Sequence, residues 1–69
     1  MKDKIDYIVM LIAEFAKRHQ MTQQQAYRYL SQFKGIELCD RHYGIMHTLP
    51  LEDNLDSLAL YCHKNGGTL

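Results

Sequence analysis

Two cysteines and four histidines are the residues of this chain best suited to chemistry. Cys39 and His42 are three positions apart, which puts them on one face of a helix. His47 follows five positions later, and Cys62 and His63 are adjacent. Thiolate and imidazole together are what zinc takes. The spacing argues against it. A structural zinc site pairs its ligands in tight Cys-x2-Cys or Cys-x2-His knuckles, and adjacent Cys62 and His63 point to different faces of a helix. Cys39 with His42 or His47 and Asp40 also makes a nucleophilic triad by residue type. A working thiolate needs exposure and a lowered pKa. Cys39 falls in the apolar register of its helix, so an inert core thiol is expected. Glu37 and Asp40 are expected on a solvated face. "GIMHTLP" lacks the lysine and the helix start of a phosphate loop. The expectation is therefore no catalytic residue, no metal ligand and no cofactor.

These residues must be positioned by helices, because the apolar spacing is helical nearly throughout. Ile5, Ile8, Val9, Ile12, Phe15, Ala16 and His19 recur at three and four residues and predict a first helix over about 3–19. Asp3 or Asp6 is its candidate cap, and Lys17 and Arg18 suit its C-terminal end. Met10 and Leu11 widen the apolar stripe, as in a central helix or one that meets a second chain. "MTQQQAYRYL" opens a second helix, 22–34, with Thr22 and Gln25 as a capping box and Met21 placed to staple onto Ala26. Ala26, Tyr27, Leu30 and Phe33 form its stripe, Tyr29 falls off it, and Lys34 and Gly35 end it. A third helix is expected over 36–47, with Leu38, Cys39 and His42 inward and Gly44 as a weak point. Pro50 forces a break. Glu52, Asp53 and Asn54 then open a fourth helix, 52–63, whose stripe is Leu55, Leu58, Ala59 and Cys62. "KNGG" stops it and begins a frayed tail, 64–69. A short strand near His47–Leu51 is possible by composition but not required. The fold class is all-α: a compact bundle of four short helices in one domain.

Composition narrows the function classes. A 69-residue chain has a small core, and its 46% apolar content excludes a disordered chain. Two cysteines make no disulfide framework, so free thiols in a reducing compartment are expected. The apolar run Tyr7–Ala13 is too short to cross a bilayer and has no cleavage site after it, so the cytoplasm is the default. Through Gly35 the chain carries six basic residues against three acidic ones, and beyond it two against five. Such a dipolar chain can steer a charged partner or set its halves against each other. A dedicated nucleic-acid binder would show a denser basic face.

Two binding readings remain. "MTQQQAYRYLSQFKGIELCDRHY" has the outline of a helix-turn-helix, with Gln23, Gln24, Arg28 and Arg41 placed to touch DNA. Glu37 and Asp40 on the second helix oppose that reading. Five tyrosines in so short a chain favour a protein interface. Tyr7, Met10, Leu11, Tyr27 and Tyr29 are the candidate contact residues, and a homodimer or a small protein partner is expected.

The chain resembles a family of bacterial proteins of unknown function, each about this long and wholly helical. The resemblance is carried by the hydrophobic first helix, by "MTQQQAYRYL" (Met21 to Leu30) and by "YGIMHTLPLEDNLDSL" (Tyr43 to Leu58). Family members tend to show a tyrosine, two or three mostly apolar residues, Leu-His-Thr and an acidic start to a last helix. Tyr43, Ile45, Met46, His47 and Thr48 stand at those positions, with Met46 for the usual leucine and Gly44 where an acid is frequent. The resemblance brings no enzymatic activity with it. Such proteins are often encoded beside small partners, some of which look like ADP-ribosyltransferase-type toxins, which implies a binding or antitoxin-like role. It singles out His47 and Thr48, which with Tyr43 and Glu52 are expected to form a helix junction. His47 is expected to cap the third helix, and Thr48 or Glu52 to bond the free N–H groups of the fourth.

Overall fold

Helix punctuation and core contacts together explain how the chain turns back on itself. The computed structural model describes residues 2–68, with side chains from Lys4 to Thr68. In chain order, α1 spans Lys2–Arg18, α2 Gln23–Gln32, α3 Gly35–Met46 and α4 Leu51–Lys64. They form a compact four-helix bundle around one shared cluster of buried residues. No strand occurs among the described residues, and 47–50 form a turn instead. Among the described residues no helix is long and apolar enough to cross a membrane.

The face that α1 turns inward differs from the expected stripe. Leu11, Phe15 and Ala16 are buried and Ile8 and Ile12 half-buried, while Ile5 and Val9 are 65% and 54% exposed. The inward line runs Tyr7, Leu11, Phe15, one residue every four. Leu11 is fully buried, which removes it from the contact surface expected for it. The Asp3 side chain, a candidate cap, lies outside the described residues. α1 ends in a Schellman motif. Gln20 adopts φ 55°, its N–H donates to the Lys17 carbonyl, and the Met21 N–H donates to that of Ala16 at 2.9 Å.

The Thr22–Gln25 capping box opens α2. The Gln25 N–H donates to Thr22 Oγ1 at 3.0 Å, and the Thr22 N–H to Gln25 Oε1 at 2.9 Å. Ala26 and Leu30 are buried. Tyr27, expected inward, is exposed. Tyr29, expected outside, is half-buried, its ring 6.0 Å from Phe15 and 4.8 Å from Phe33. The turn that follows reverses the expected roles of its two residues. Lys34 takes the left-handed conformation, φ 72°, and Gly35 is the first residue of α3. Gly35 is buried, and a Cβ there would lie 2.7 Å from Leu30 Cδ2 and 3.0 Å from Cys62 Sγ. Close approach, not φ, requires the glycine.

α3 passes through Gly44 without ending and bends instead at His42, whose φ −111° and ψ 21° are not helical. His42 is exposed, whereas Cys39 and Met46 are buried. α4 packs through Asn54, Leu55, Leu58 and Cys62. It closes through its glycines. Gly66 adopts φ 105°, its N–H donates to His63, and the Gly67 N–H donates to the Cys62 carbonyl at 2.8 Å, a second Schellman motif. Gly67 is buried, and a Cβ there would collide with the Tyr29 hydroxyl.

Candidate functional site

Pro50 cannot donate a backbone hydrogen bond, so α3 must stop before it and its last carbonyls need other donors. Each of three receives one backbone and one side-chain donor. The Tyr43 carbonyl accepts from the His47 N–H at 3.1 Å and from His47 Nδ1 at 2.9 Å. The Ile45 carbonyl accepts from the Thr48 N–H at 3.1 Å and from Thr48 Oγ1 at 2.7 Å. The Met46 carbonyl accepts from the Leu49 N–H at 3.0 Å and from Asn54 Nδ2 at 2.7 Å. A carbonyl only accepts, so His47 Nδ1 carries the hydrogen and the neutral ring keeps its lone pair at Nε2.

Thr48 thus bonds back into α3, not forward into α4 as expected. Its position, one turn past Ile45, decides this. Glu52 is exposed, and no side chain caps α4, whose N-cap is Pro50. Glu52 and Asp53 sit in the first turn, where acids suit the helix dipole.

Asn54 is the residue that sequence reasoning missed. It is 2% exposed. Besides the Met46 carbonyl it donates to Tyr7 Oη at 2.6 Å, joining α1, α3 and α4. Its signal was present: Leu51, Asn54, Leu55, Leu58 and Cys62 share one helical face, and the asparagine lies inside that face. Tyr7 belongs to this junction too. Its ring meets Tyr43 edge-on at 5.5 Å, and Tyr43 stacks on His47 at 4.7 Å and 13°. Burial pushes the Tyr7 phenol above its ordinary 10.0, the Cys39 charge adds to the rise, and the bond from Asn54 opposes it. Lys4 pairs with Asp40 at 2.6 Å and Arg18 with Asp56 at 2.5 Å, tying α1 to α3 and α4. Both aspartates are well exposed, so each pair contributes under about 1 kcal/mol.

The residues suited to chemistry are not brought together. Cys39 and Cys62 are free and buried. Burial, with the Cys62 charge second, pushes the Cys39 thiol up to about 12. At 1% exposure Cys39 lacks the access that a nucleophilic thiol requires. Among the described residues no group of three or more His, Cys, Asp or Glu side chains can hold a metal ion. Of the expected contact residues, Met10 (37%) and Tyr27 (55%) are exposed, and Tyr7 and Tyr29 are half-buried. Gln23, Gln24, Arg28 and Arg41 are all exposed, with Arg41 3.6 Å from Glu37.

A small helical bundle with capped helix ends and no clustered catalytic side chains among its described residues is the class that these features define. The chain belongs to DUF3791, a family of proteins of unknown function, whose profile matches residues 6–65. No curated protein and no solved structure is significantly similar to it.

Proposed function

We propose that this chain is a non-enzymatic protein-interaction module, antitoxin-like in the sense that it works by occupying a small partner protein. One observation carries the reading. Apolar side chains that a small core would be expected to use are left outside it: Ile5, Val9 and Met10 on α1, and Tyr27 on α2. The groups that would serve chemistry are meanwhile buried, as Cys39 and Cys62 are, or spent on helix ends, as His47 and Thr48 are. Surface apolar and tyrosine side chains of this kind suit a protein partner. Two free buried thiols fit a reducing, cytoplasmic setting. The α3–α4 junction, with Tyr43, His47, Thr48 and Glu52, acts in this reading as a scaffold that holds the helices at fixed angles.

The test is capture of partners from native lysate by the tagged protein, beside the same protein carrying Val9→Lys and Tyr27→Ala. A stoichiometric protein partner that the double variant loses supports the reading. Equal background in both samples overturns it. A second reading, DNA binding, draws on the outer face of α2, where Gln24, Tyr27, Arg28, Ser31 and Gln32 line a shallow concavity and no acid is present. It requires salt-dependent binding to duplex DNA, lost in Arg28→Ala.

A further inference from the structure

We infer that α1 pairs antiparallel with α1 of a second copy of this chain, through a ridge of Ile5, Val9 and Ala13 flanked by Asp6 and Lys17. This names one partner for the interaction reading and rests on it.

Ile5 and Val9 are four residues apart, and Ala13 is four further on. That spacing lines up one ridge of a helix. Ile5 and Val9 are 65% and 54% exposed, and Ala13 is half-buried. The Ile5–Val9 part of the ridge faces away from Leu11 and Phe15, and its line runs on into Ala16, which α1 buries. Its N-terminal half, Ile5 and Val9, is therefore apolar surface that the bundle leaves exposed.

Charge decides what covers it. Asp6 and Lys17 are eleven residues apart, which is three helical turns plus about 20°, so they stand on the same flank of the ridge. Both are exposed, and Lys17 is 76% exposed with Glu14, 3.6 Å away, as an ion-pair neighbour. A two-fold axis placed between Leu11 and Ile12 and perpendicular to the paired helices keeps equal flanks together and reverses their direction. It sets Asp6 of each copy level with Lys17 of the other, so the complementary pair forms twice. It also sets Met10 level with Ala13 of the other copy and Val9 within one residue of it, larger side chains against a small one. A parallel two-fold pair would instead set each flank against the opposite flank of the other copy, so Asp6 and Lys17 would not meet at all. The pattern is self-complementary in one direction only, as an isologous interface must be.

A single helix face of about 25 Å is small beside a standard interface of about 1,600 Å² in total. The dimer is thus expected to form and dissociate with concentration.

The experiment is the mass of the purified full chain by sedimentation from about 10 μM to about 1 mM, a range that brackets a weak interface. The mass is expected to rise from 8.1 kDa toward twice that value. Val9→Lys should hold it at the monomer. Asp6→Lys alone and Lys17→Asp alone should each weaken association by about tenfold, because two attractive pairs become repulsive. The charge-swapped double variant should return close to the parent. Circular dichroism of each variant checks that these exposed substitutions leave the fold intact.

A monomer at every concentration overturns the pairing. So does a dimer indifferent to the single charge reversals, or one that the double swap fails to restore. Because the sample contains no other protein, these outcomes leave partner capture from lysate to be judged by itself.

Discussion

Replacing Asn54 by alanine tests whether the α3–α4 junction is held from inside. The side chain donates to Met46 O at 2.7 Å and to Tyr7 Oη at 2.6 Å, and is 2% exposed. Each bond contributes about 1 kcal/mol net, and the small void adds up to about 1 kcal/mol more. The Met46 carbonyl keeps its Leu49 donor, so no acceptor is wholly stranded. The loss is about 2–3 kcal/mol. A chain of this size has roughly 3–10 kcal/mol in total, and each kcal/mol moves Tm by about 4–8 °C. Thermal unfolding by circular dichroism should therefore show a fall of about 10–20 °C. Tyr7→Phe removes one of the two bonds and should cost about 1 kcal/mol. The double variant should fall short of the sum, because the two share a bond. Asn54→Asp adds a pH signature. A carboxylate facing the Met46 carbonyl repels it and is buried, so its folded pKa rises above the unfolded value of about 3.9. The variant's stability relative to the parent should be greatest below that value and fall as pH rises through the folded pKa. An Asn54→Ala shift under about 4 °C would sink the argument that this side chain holds the junction.

Two other outcomes follow from the geometry. The His19 ring lies tilted against Phe15, 4.3 Å between centroids, and its Nε2 is buried with no partner among the described residues. Burial first, and Arg18 second, lower its pKa from the ordinary 6.5. Its neutral form favours the fold, so stability should be full above 6.5 and decline as pH falls through the lowered folded value; unfolding curves of His19→Leu should lose that acid sensitivity. Gln20 holds φ 55° at the end of α1, where an L side chain is strained. Gln20→Gly should raise stability by up to about 1 kcal/mol, and an unchanged or lowered Tm would contradict the strain.

Sequence reading reached the features that depend on few neighbouring residues. The Thr22–Gln25 box, the break at Pro50 and the stop at "KNGG" are local, and local chemistry decides them. The rotation of α1 was not legible. Isoleucine, valine, methionine and leucine occupy 8–12 without interruption, so apolar spacing alone does not choose between Ile5–Val9 and Tyr7–Leu11. Packing against α2, α3 and α4 makes the choice. Gly35 misled for another reason. A glycine after a helix reads as a left-handed cap, yet here Lys34 accepts that strain because the next position must have no side chain. At the junction, the sequence pointed to the right stretch. The direction of the Thr48 bond and the inward turn of Asn54 depend on where α3 and α4 finally lie.

The missing side chain at Gly35 also governs how the helices can come apart. Leu30 from α2, the first residue of α3 and Cys62 from α4 meet there, and Leu30 and Cys62 are wholly buried. Lifting α4 away opens a hole at that corner and uncovers Leu30 together with Cys39 and Leu58, a large part of a small core. Partial detachment gains little chain entropy for so much apolar surface wetted. Fraying of α4 and loss of the α2–α3 corner are thus one event, and the bundle is cooperative through a residue that contributes no side-chain atoms at all.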